Sequence, residues 1–403
     1  MKKILCLSLF MAFMFGSVFS ANLVDVYKKG KVRLVPVVDF GSGVDWNKIF
    51  PSIKMLLVSP QRNLAVAPDG TSFVTAYTPL ENPESVLRYI YKFDSDGRFL
   101  KKFGEKTRRI YDAKSICGWP EFSCILDGRY LVVAEYDRIC LYDLEGNDLK
   151  VIKMMRPAYG CEALKDGWVA LTHTTLLRDS SVKRWIVLKN VETEKERVVA
   201  DSLSNELKTR IFFKDKNGRT ISFSHPFSGS QAFIGRTSDA ALLSGFWRKP
   251  TLNIFNRDGK KIKEIPLNIK PFAIDEKVKS EIYDSVSKAL KKFDLPSESL
   301  NMIEQNKSFF PRYMPFYYNF LVDSEGNILV FPYPAEGAAR IFKVYSPSGD
   351  LICESQFDMG EHEISFKPNA KSAVFHNGYL YAVTEKKGSL KARLMKFSLE
   401  PAK

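Results

Sequence analysis

Cysteine is scarce in this chain, which has six cysteines among 403 residues. Cys6 lies in the N-terminal apolar segment without the small residues that precede a lipidated cysteine, so a lipoprotein is not expected. The other cysteines are scattered and odd in number, and none forms a Cys-x-x-Cys pair, which argues against a disulfide framework and a zinc or redox motif. Cys117 and Cys124 are close enough in sequence to suggest a local bridge. We expect buried free thiols at the remaining positions: Cys140, Cys161 and Cys353.

Histidine is also rare, and none of the four histidines has the spacing of metal ligands. The chain has no Gly-x-Ser-x-Gly, no Walker-type loop and no dinucleotide fingerprint, so it offers no motif for the enzyme classes that use them. His173 is the one candidate general base, because it ends a predicted strand beside a long loop. No carboxylate or nucleophile can be placed next to it, so a hydrogen-bonded structural histidine is the favoured interpretation.

Long apolar runs are confined to the N-terminus. Residues 1–20 begin with a lysine pair, continue through an apolar run to Phe15 and end at Ser20, a pattern that predicts a cleaved secretory signal peptide. A retained membrane anchor is the alternative, but the run is short for a bilayer span of about 20 residues. We therefore expect an exported protein, periplasmic or extracellular, with residues 21–403 as one domain.

Acidic residues are outnumbered: 46 Asp and Glu stand against 60 Lys and Arg, a net charge of +14, or +12 without Lys2 and Lys3. An exported basic protein meets anionic polysaccharide, envelope lipid or acidic protein more readily than nucleic acid. A protein, peptide or anionic glycan is therefore the expected partner of a monomer. The lysine pairs that fall beside predicted turns are most simply solvated strand edges.

One phrase recurs throughout the chain. YKFDSDGRFLKKFG at 91–104 returns as LYDLEGNDLKVI at 141–152, IFNRDGKKIKEI at 254–265 and VYSPSGDLICES at 344–355. Each phrase is a hairpin signal, since apolar residues alternate on both sides of a turn that contains glycine. Other hairpins precede them, which gives six units of four strands.

These units predict an all-β, six-bladed β-propeller. A four-stranded unit whose first strand is nearly all apolar cannot bury both faces alone, and radial stacking of such units satisfies all of them. Two packed sandwiches are the alternative, but they do not explain the repeating order of strands and turns. Residues 31–40 form a spare strand, which we expect to pair with the short last unit and close the ring.

A segment at about 274–305 departs from the strand pattern. Apolar residues from Val278 to Phe293 share one helical face, and Asp275 is available as N-cap. Pro296 opens a second short helix that runs to about Gln305. The pattern predicts a helical insertion between blades four and five.

The motif NFLVDSEGNILVFPY with VYSPSGDLICES resembles an NHL-type propeller repeat, and LAVAPDGTSFVTAY with YKFDSDGRFLKKFG is similar. Most of the chain resembles bacterial secreted six-bladed propellers related to TolB and NHL proteins. The shared residues build turns, so the resemblance implies a fold. That family includes binding modules and a few hydrolases or lyases, and the resemblance therefore does not choose between them.

Two functions follow from the predicted architecture. Tight glycine turns occupy one rim, so long loops must crowd the other, and binding sites usually lie on such loops. The favoured hypothesis is a non-catalytic binding or scaffold module that uses this loop-rich rim. Its candidate binding residues are Tyr77, His173, Trp247, Arg248, Tyr333 and Arg340.

The alternative is a calcium-dependent hydrolase or lyase with its site in the central channel. Polar residues open the predicted first strands, and oxygen ligands of this kind suit Ca²⁺. Propeller lactonases resemble this arrangement in using channel Glu and Asn residues. A ring of polar side chains that only hydrates the channel is the simpler interpretation. The candidate ligands are Asn63, Glu121, Glu162, Gln231, Asn319 and Ser372.

Overall fold

The computed structural model describes residues 22–50, 62–79, 85–109, 122–135, 137–177, 182–204, 210–214, 220–224, 231–281, 284, 312–333, 340–364, 371–387 and 391–402. Strands predominate among them. Helical residues occur in α1 (Leu23–Tyr27), in α2 (Trp46–Ile49) and at 276–281 and 284. Among the residues described, no helix is long and apolar enough to span a bilayer.

Four sheets are antiparallel meanders of four strands each. The first contains β2 (Asn63–Val66), β3 (Ser72–Pro79), β4 (Ser85–Phe93) and β5 (Phe99–Arg109). The second contains β6 (Phe122–Leu126), β7 (Tyr130–Ala134), β8 (Arg138–Asp143) and β9 (Asp148–Lys153). The third contains β10 (Ala158–Ala163), β11 (Trp168–Leu176), β12 (Val182–Asn190) and β13 (Glu196–Ser204). After the hairpin β14 (Arg210–Lys214) and β15 (Thr220–Ser224), the fourth contains β16 (Ala232–Arg236), β17 (Leu242–Phe246), β18 (Thr251–Phe255) and β19 (Lys261–Pro266).

A nine-stranded sheet joins two further units through the N-terminal strand β1 (Lys31–Pro36). The fifth unit is the meander β20 (Tyr317–Val322), β21 (Ile328–Pro332), β22 (Arg340–Tyr345) and β23 (Leu351–Asp358). The sixth unit contains β25 (Ala373–His376), β26 (Tyr379–Lys386) and β27 (Ala392–Pro401), with the short β24 (His362–Ile364) on β26. β1 pairs antiparallel with β27, and its first residues pair parallel with β23.

The predicted pairing of the N-terminal strand with the last unit is confirmed for residues 31–36. Val32 lies opposite Pro401, and Pro36 lies opposite Phe397. The side chains of Val32 and Leu34 are buried in the core shared by the fifth and sixth units. The N-terminal strand therefore supplies the fourth strand that the last unit lacks.

The units are arranged radially, as in a β-propeller. Their first strands contact one another in a closed cycle: β2 with β6, β6 with β10, β10 with β16, β16 with β20, β20 with β25, and β25 with β2. Each hydrophobic cluster combines side chains of two neighbouring units, and the cluster of Leu64 and Val74 with Val383 and Leu394 joins the first unit to the sixth. Each sheet packs against a neighbouring sheet at both of its faces. This explains why the sequences of the first strands are nearly all apolar.

The repeated phrase corresponds to the turn between the third and fourth strands of a unit. The first residue of this turn has a side-chain oxygen that accepts a hydrogen bond from the backbone N–H of the residue four positions later. The glycine between them has a positive φ, which a residue with a Cβ adopts only at a cost. The four pairs are Asp94 with Gly97, Asp143 with Gly146, Asn256 with Gly259, and Ser346 with Gly349.

The tight turns share one rim, here called the tight-turn rim. A Cβ at Gly70, in the first turn of its unit, would lie 3.2 Å from Ser95 in the second turn of the same unit. Between units, the Asp127 carboxylate accepts hydrogen bonds from the N–H groups of Asp166 and Gly167 at 3.0 Å each. The connections between second and third strands leave from the opposite ends of these strands, which form the loop-rich rim.

The predicted helical insertion at about 274–305 falls mostly outside the described residues. Residues 276–281 and 284 are helical. Asp275 accepts a hydrogen bond from the N–H of Val278 at 2.8 Å, as expected of an N-cap.

Candidate functional site

A cavity of about 180 Å³ lies at the centre of the ring of first strands. Its lining comes from the start of β6, from β10, β16 and β20, and from β25 with the two residues before it. Polar and apolar atoms contribute nearly equally to the exposed wall. The polar side chains that line the cavity include Tyr159, Glu162, Arg236, Asn319 and Lys371.

An ion pair crosses this cavity. Lys371 directly precedes Ser372 and β25, and its Nζ donates to Glu162 Oε2 on β10 at 2.7 Å. β10 and β25 are three steps apart in the cycle of first strands, so the two residues come from opposite sides of the ring. Both side chains are largely but not fully buried, with 24% and 14% of their surfaces exposed. The pair is therefore accessible from the cavity.

The charges in the cavity wall favour an anion. Burial alone would lower the pKa of Lys371, but the Glu162 carboxylate opposes this effect and the pKa lies above its ordinary value. Lys371 is therefore a cation at neutral pH. Arg236 lines the same cavity, is exposed, and lies close enough to act on Lys371 electrostatically. Two cations and one carboxylate thus face the same space.

The candidate calcium ligands do not lie at one level of the channel. Asn63 and Asn319 each stand four residues before the turn residues Ala67 and Asp323, whose N–H groups close the first turn of their units. Glu162 stands only two residues before the corresponding Leu164. Glu162 therefore lies at a different level from the two asparagines, and this offset is already present in the sequence.

The oxygens of the candidate calcium ligands already have protein partners. Asn63 Oδ1 accepts a hydrogen bond from the N–H of Lys371, and Asn319 Oδ1 accepts one from the N–H of Phe320. The Glu162 carboxylate holds the Lys371 ammonium, which would repel a calcium ion. Gln231 is half-buried, Ser372 is buried, and Glu121 lies outside the described residues. Within the described part of the chain, no group of three or more His, Cys, Asp and Glu residues could hold a metal ion. As placed, the described members fit an ion pair better than a calcium site.

Some of the predicted rim residues come together between the fourth and fifth units. The rings of Trp247 and Tyr333 are 6.4 Å apart, and Trp247 is buried in the core. Burial also raises the pKa of Tyr333 above its ordinary value. Arg248 donates from Nη1 to the carbonyl of Tyr313 at 3.2 Å. These residues brace the loop-rich rim, and the aromatic pair belongs to the packing between units.

The other predicted rim residues do not join that group. His173 is buried on β11, opposite Trp185 on β12, and its Nδ1 lies 2.8 Å from the carbonyl of Pro157, which fixes Nδ1 as the donor. Burial lowers the pKa of His173, although that hydrogen bond opposes the shift. This environment agrees with a structural histidine. Tyr77 and Arg340 pair in strands with Arg88 and Phe357, and their side chains lie outside the described parts.

Three of the described cysteines are buried free thiols: Cys124, Cys140 and Cys161. Cys124 therefore makes no bridge to Cys117, which lies outside the described residues. Its sulfur lies instead 3.5 Å from that of Cys161, on the first strand of the next unit. Cys353 is a free thiol that is only half-buried.

Sequence reasoning missed Lys371 and Arg236. Neither belongs to a motif, and the partner of Lys371 is 209 residues away. The available signal was positional, since Lys371 precedes the predicted first strand of the sixth unit and Arg236 ends that of the fourth. A search for cations at the ends of apolar first strands would have found both.

No protein-family model matches the chain, and no curated protein matches it. Similar solved structures include a streptogramin B lyase, 11% identical with a TM-score of 0.37, over 87% of this chain and 96% of that one. A member of the DUF4221 family from Bacteroides vulgatus is 13% identical with a TM-score of 0.46, over 93% and 100% of the two chains. A catalytically inactive virginiamycin B lyase from Staphylococcus aureus, with quinupristin, is 9% identical with a TM-score of 0.37, over 86% and 97%. These similarities are too weak to assign an activity, and the NHL and TolB resemblance stays a prediction.

Proposed function

We propose that this protein is an exported, monomeric six-bladed β-propeller that binds the anionic group of a larger ligand in its central cavity without converting it. The closed cycle of first strands supports the blade count. The N-terminal lysine pair and apolar run support export. The proposal keeps the binding role expected from sequence and moves the recognition site from the rim to the cavity.

The ion pair between Glu162 and Lys371 is the observation that carries the proposal. A carboxylate or sulfate on a ligand would replace Glu162 as the partner of Lys371, and Arg236 would supply a second positive charge. Hydrogen bonds to charged groups are stronger than neutral ones, so such an exchange selects anions. The net charge of the exported chain, +12 without Lys2 and Lys3, would attract them over a longer range.

The volume of the cavity limits what can enter it. About 180 Å³ corresponds to roughly six water molecules, at about 30 Å³ each. One acidic group or one sugar unit therefore fits, and the rest of a glycan or peptide would extend over the loop-rich rim. An acidic glycan agrees with the partner expected from charge, and an oligogalacturonide is a suitable probe.

Substitutions of the two charges should act in opposite directions. Lys371→Met should weaken oligogalacturonide binding by about tenfold or more, since a hydrogen bond to a charged group contributes about 1.5–3 kcal/mol. Glu162→Gln should strengthen binding, because it removes the carboxylate that competes for Lys371. Lys165→Met, on the exposed tight-turn rim, is the matched control and should leave affinity unchanged. Isothermal titration calorimetry measures all three.

Salt and ligand charge provide the second arm of this test. Affinity should fall as salt rises past physiological ionic strength, where the screening length is about 8 Å. A neutral oligosaccharide of equal length should not bind. Loss of binding in both Lys371→Met and Glu162→Gln would show that the pair serves the structure only, and salt-insensitive binding would contradict an anion site.

The calcium-dependent hydrolase or lyase remains a separate hypothesis. It predicts that chelator-treated protein binds Ca²⁺ in the millimolar range or tighter, the weakest class of protein calcium sites. It further predicts that a double variant, Glu121→Gln with Glu162→Gln, loses this binding. Equal heats of calcium titration for wild type and variant would eliminate the hypothesis.

A further inference from the structure

Two thiols from neighbouring units meet beside the cavity. Cys124 lies on β6 and Cys161 on β10, and their sulfurs are 3.5 Å apart. Both side chains are almost fully buried, at 2% and 3% exposure. β6 and β10 belong to different sheets, so no ladder of backbone hydrogen bonds already joins them. The pair is separate from the charges used in the proposed binding site, although Cys161 directly precedes Glu162.

We infer that Cys124 and Cys161 are a covalent modification site, where oxidation forms a disulfide that joins the second and third units. The S–S bond is about 2.05 Å long, so the sulfurs must approach by roughly 1.5 Å. Rotation about the two Cα–Cβ bonds and a small strand shift can provide this. No other described pair of cysteines comes into sulfur contact.

The reaction is thiol–disulfide exchange with a small disulfide such as oxidised glutathione. One thiolate of the pair attacks a glutathione sulfur, forms a mixed disulfide and releases one glutathione thiolate. The second thiolate then attacks the protein sulfur of that mixed disulfide and releases the second. The two protein thiols lose two protons and two electrons, and the oxidised glutathione becomes two molecules of reduced glutathione.

Local electrostatics determine how fast this reaction can be. The hydrogen bond with Cys124 and burial raise the pKa of Cys161 well above its ordinary value, whereas the nearby Lys371 charge opposes the shift. Since the thiolate is the reactive form, oxidation of the folded protein should be slow. Oxidation during folding, before the strands are buried, should be faster. An exported protein meets such oxidising conditions as it folds.

The disulfide would also change the cavity wall. Cys161 lines the cavity and Glu162 follows it in β10. A covalent link to β6 would therefore restrain the strand that carries one partner of the ion pair. In the dithiol form, packing and the hydrogen bond between the two sulfurs hold this strand on that side.

The test compares the protein produced in a reducing cytosol with the same protein exported to an oxidising compartment. Each sample is quenched in acid, alkylated under denaturing conditions and mapped without reduction. We expect a cystine peptide joining Cys124 to Cys161 in the exported protein and two additional alkylated thiols in the cytosolic one. The cytosolic protein, unfolded and refolded in a glutathione redox buffer, should gain the same cystine and melt several degrees higher.

Variants show whether the pair itself is responsible. Cys124→Ser and Cys161→Ser should each abolish the cystine peptide and the rise in melting temperature. Cys140→Ser, at another buried free thiol, is the matched control and should retain both. Lys371→Met should also keep the cystine, which separates this inference from the ligand-binding proposal. Free thiols at both positions in the exported and the buffered protein, or a cystine between Cys117 and Cys124, would overturn it.

Discussion

At the scale of single residues, two ion pairs differ in whether they can stabilise only the fold or can also bind a ligand. Arg88 donates from Nη2 to Glu135 at 2.8 Å, and both side chains are at most 1% exposed. Removing one partner of such a pair leaves a buried charge and costs about 3–5 kcal/mol. Because neither side chain is exposed, a ligand cannot reach the pair to replace either partner. Glu162 and Lys371 make a bond of similar length but border a cavity. Their positions allow partner exchange, which is why we assign recognition to them.

His173 should make stability depend on pH. Its pKa is lowered by burial from 6.5, so the unfolded chain binds its proton more readily than the native protein does. The native state is therefore favoured above pH 6.5, and this contribution is lost as pH falls from there towards the lowered pKa. Replacing His173 with Gln should reduce the difference in free energy of unfolding between pH 7.5 and pH 5.5. Urea denaturation at both pH values measures it.

Burial also lowers the pKa of His362 and His376, so the His173 variant removes only part of the pH dependence. The matched variant is His376→Gln. The ring of His376 lies on the tight-turn rim, and its Nε2 is within hydrogen-bond distance of the carbonyl of Pro68, at 3.2 Å. An identical pH dependence in wild type and the His173 variant would mean that His173 keeps its ordinary pKa.

At the scale of elements, the glycine of the repeated turn is required for two reasons. Gly146 has a φ of 84°, and an added Cβ would lie 2.8 Å from the ring of Phe103. Gly30 has a φ of 78° but open space around the same position. Holding a residue with a Cβ in the left-handed conformation costs about 1–2 kcal/mol. Gly30→Ala should lower the free energy of unfolding by this amount, and Gly146→Ala should lower it by more. Urea denaturation compares them, and equal losses would show that Phe103 yields without strain.

The turns could be predicted from sequence because their chemistry is local. Asp143 and Gly146 lie three residues apart and form one turn without help from the rest of the fold. The closing strand could be predicted because an unpaired strand and an incomplete unit complement each other. The cavity charges could not, because Lys371 meets Glu162 only after the ring closes. The level of Glu162, by contrast, could have been read from the sequence, because Glu162 stands two residues before its turn residue and Asn63 stands four before its own.

At the scale of the whole molecule, closure removes the free ends that an open array of repeats would have. In an open array a weakened terminal repeat frays without affecting distant repeats, because each repeat contacts only its neighbours in sequence. Here β1 pairs with both β27 and β23, so the N-terminus supports the fifth and sixth units together. The first unit in turn packs on the sixth. Destabilising β1 should therefore affect the entire ring.

Leu34→Ala tests this cooperativity. Leu34 is 4% exposed in the core between the fifth and sixth units, so its truncation should cost about 2–5 kcal/mol. Leu100→Ala, at a leucine 51% exposed on β5, is the matched control and should cost far less. Hydrogen exchange should accelerate in β10–β13, far from the substitution, by the same factor as in β27. If β27 alone loses protection while β10–β13 exchange as in wild type, the last unit frays by itself and the ring does not unfold as one cooperative structure.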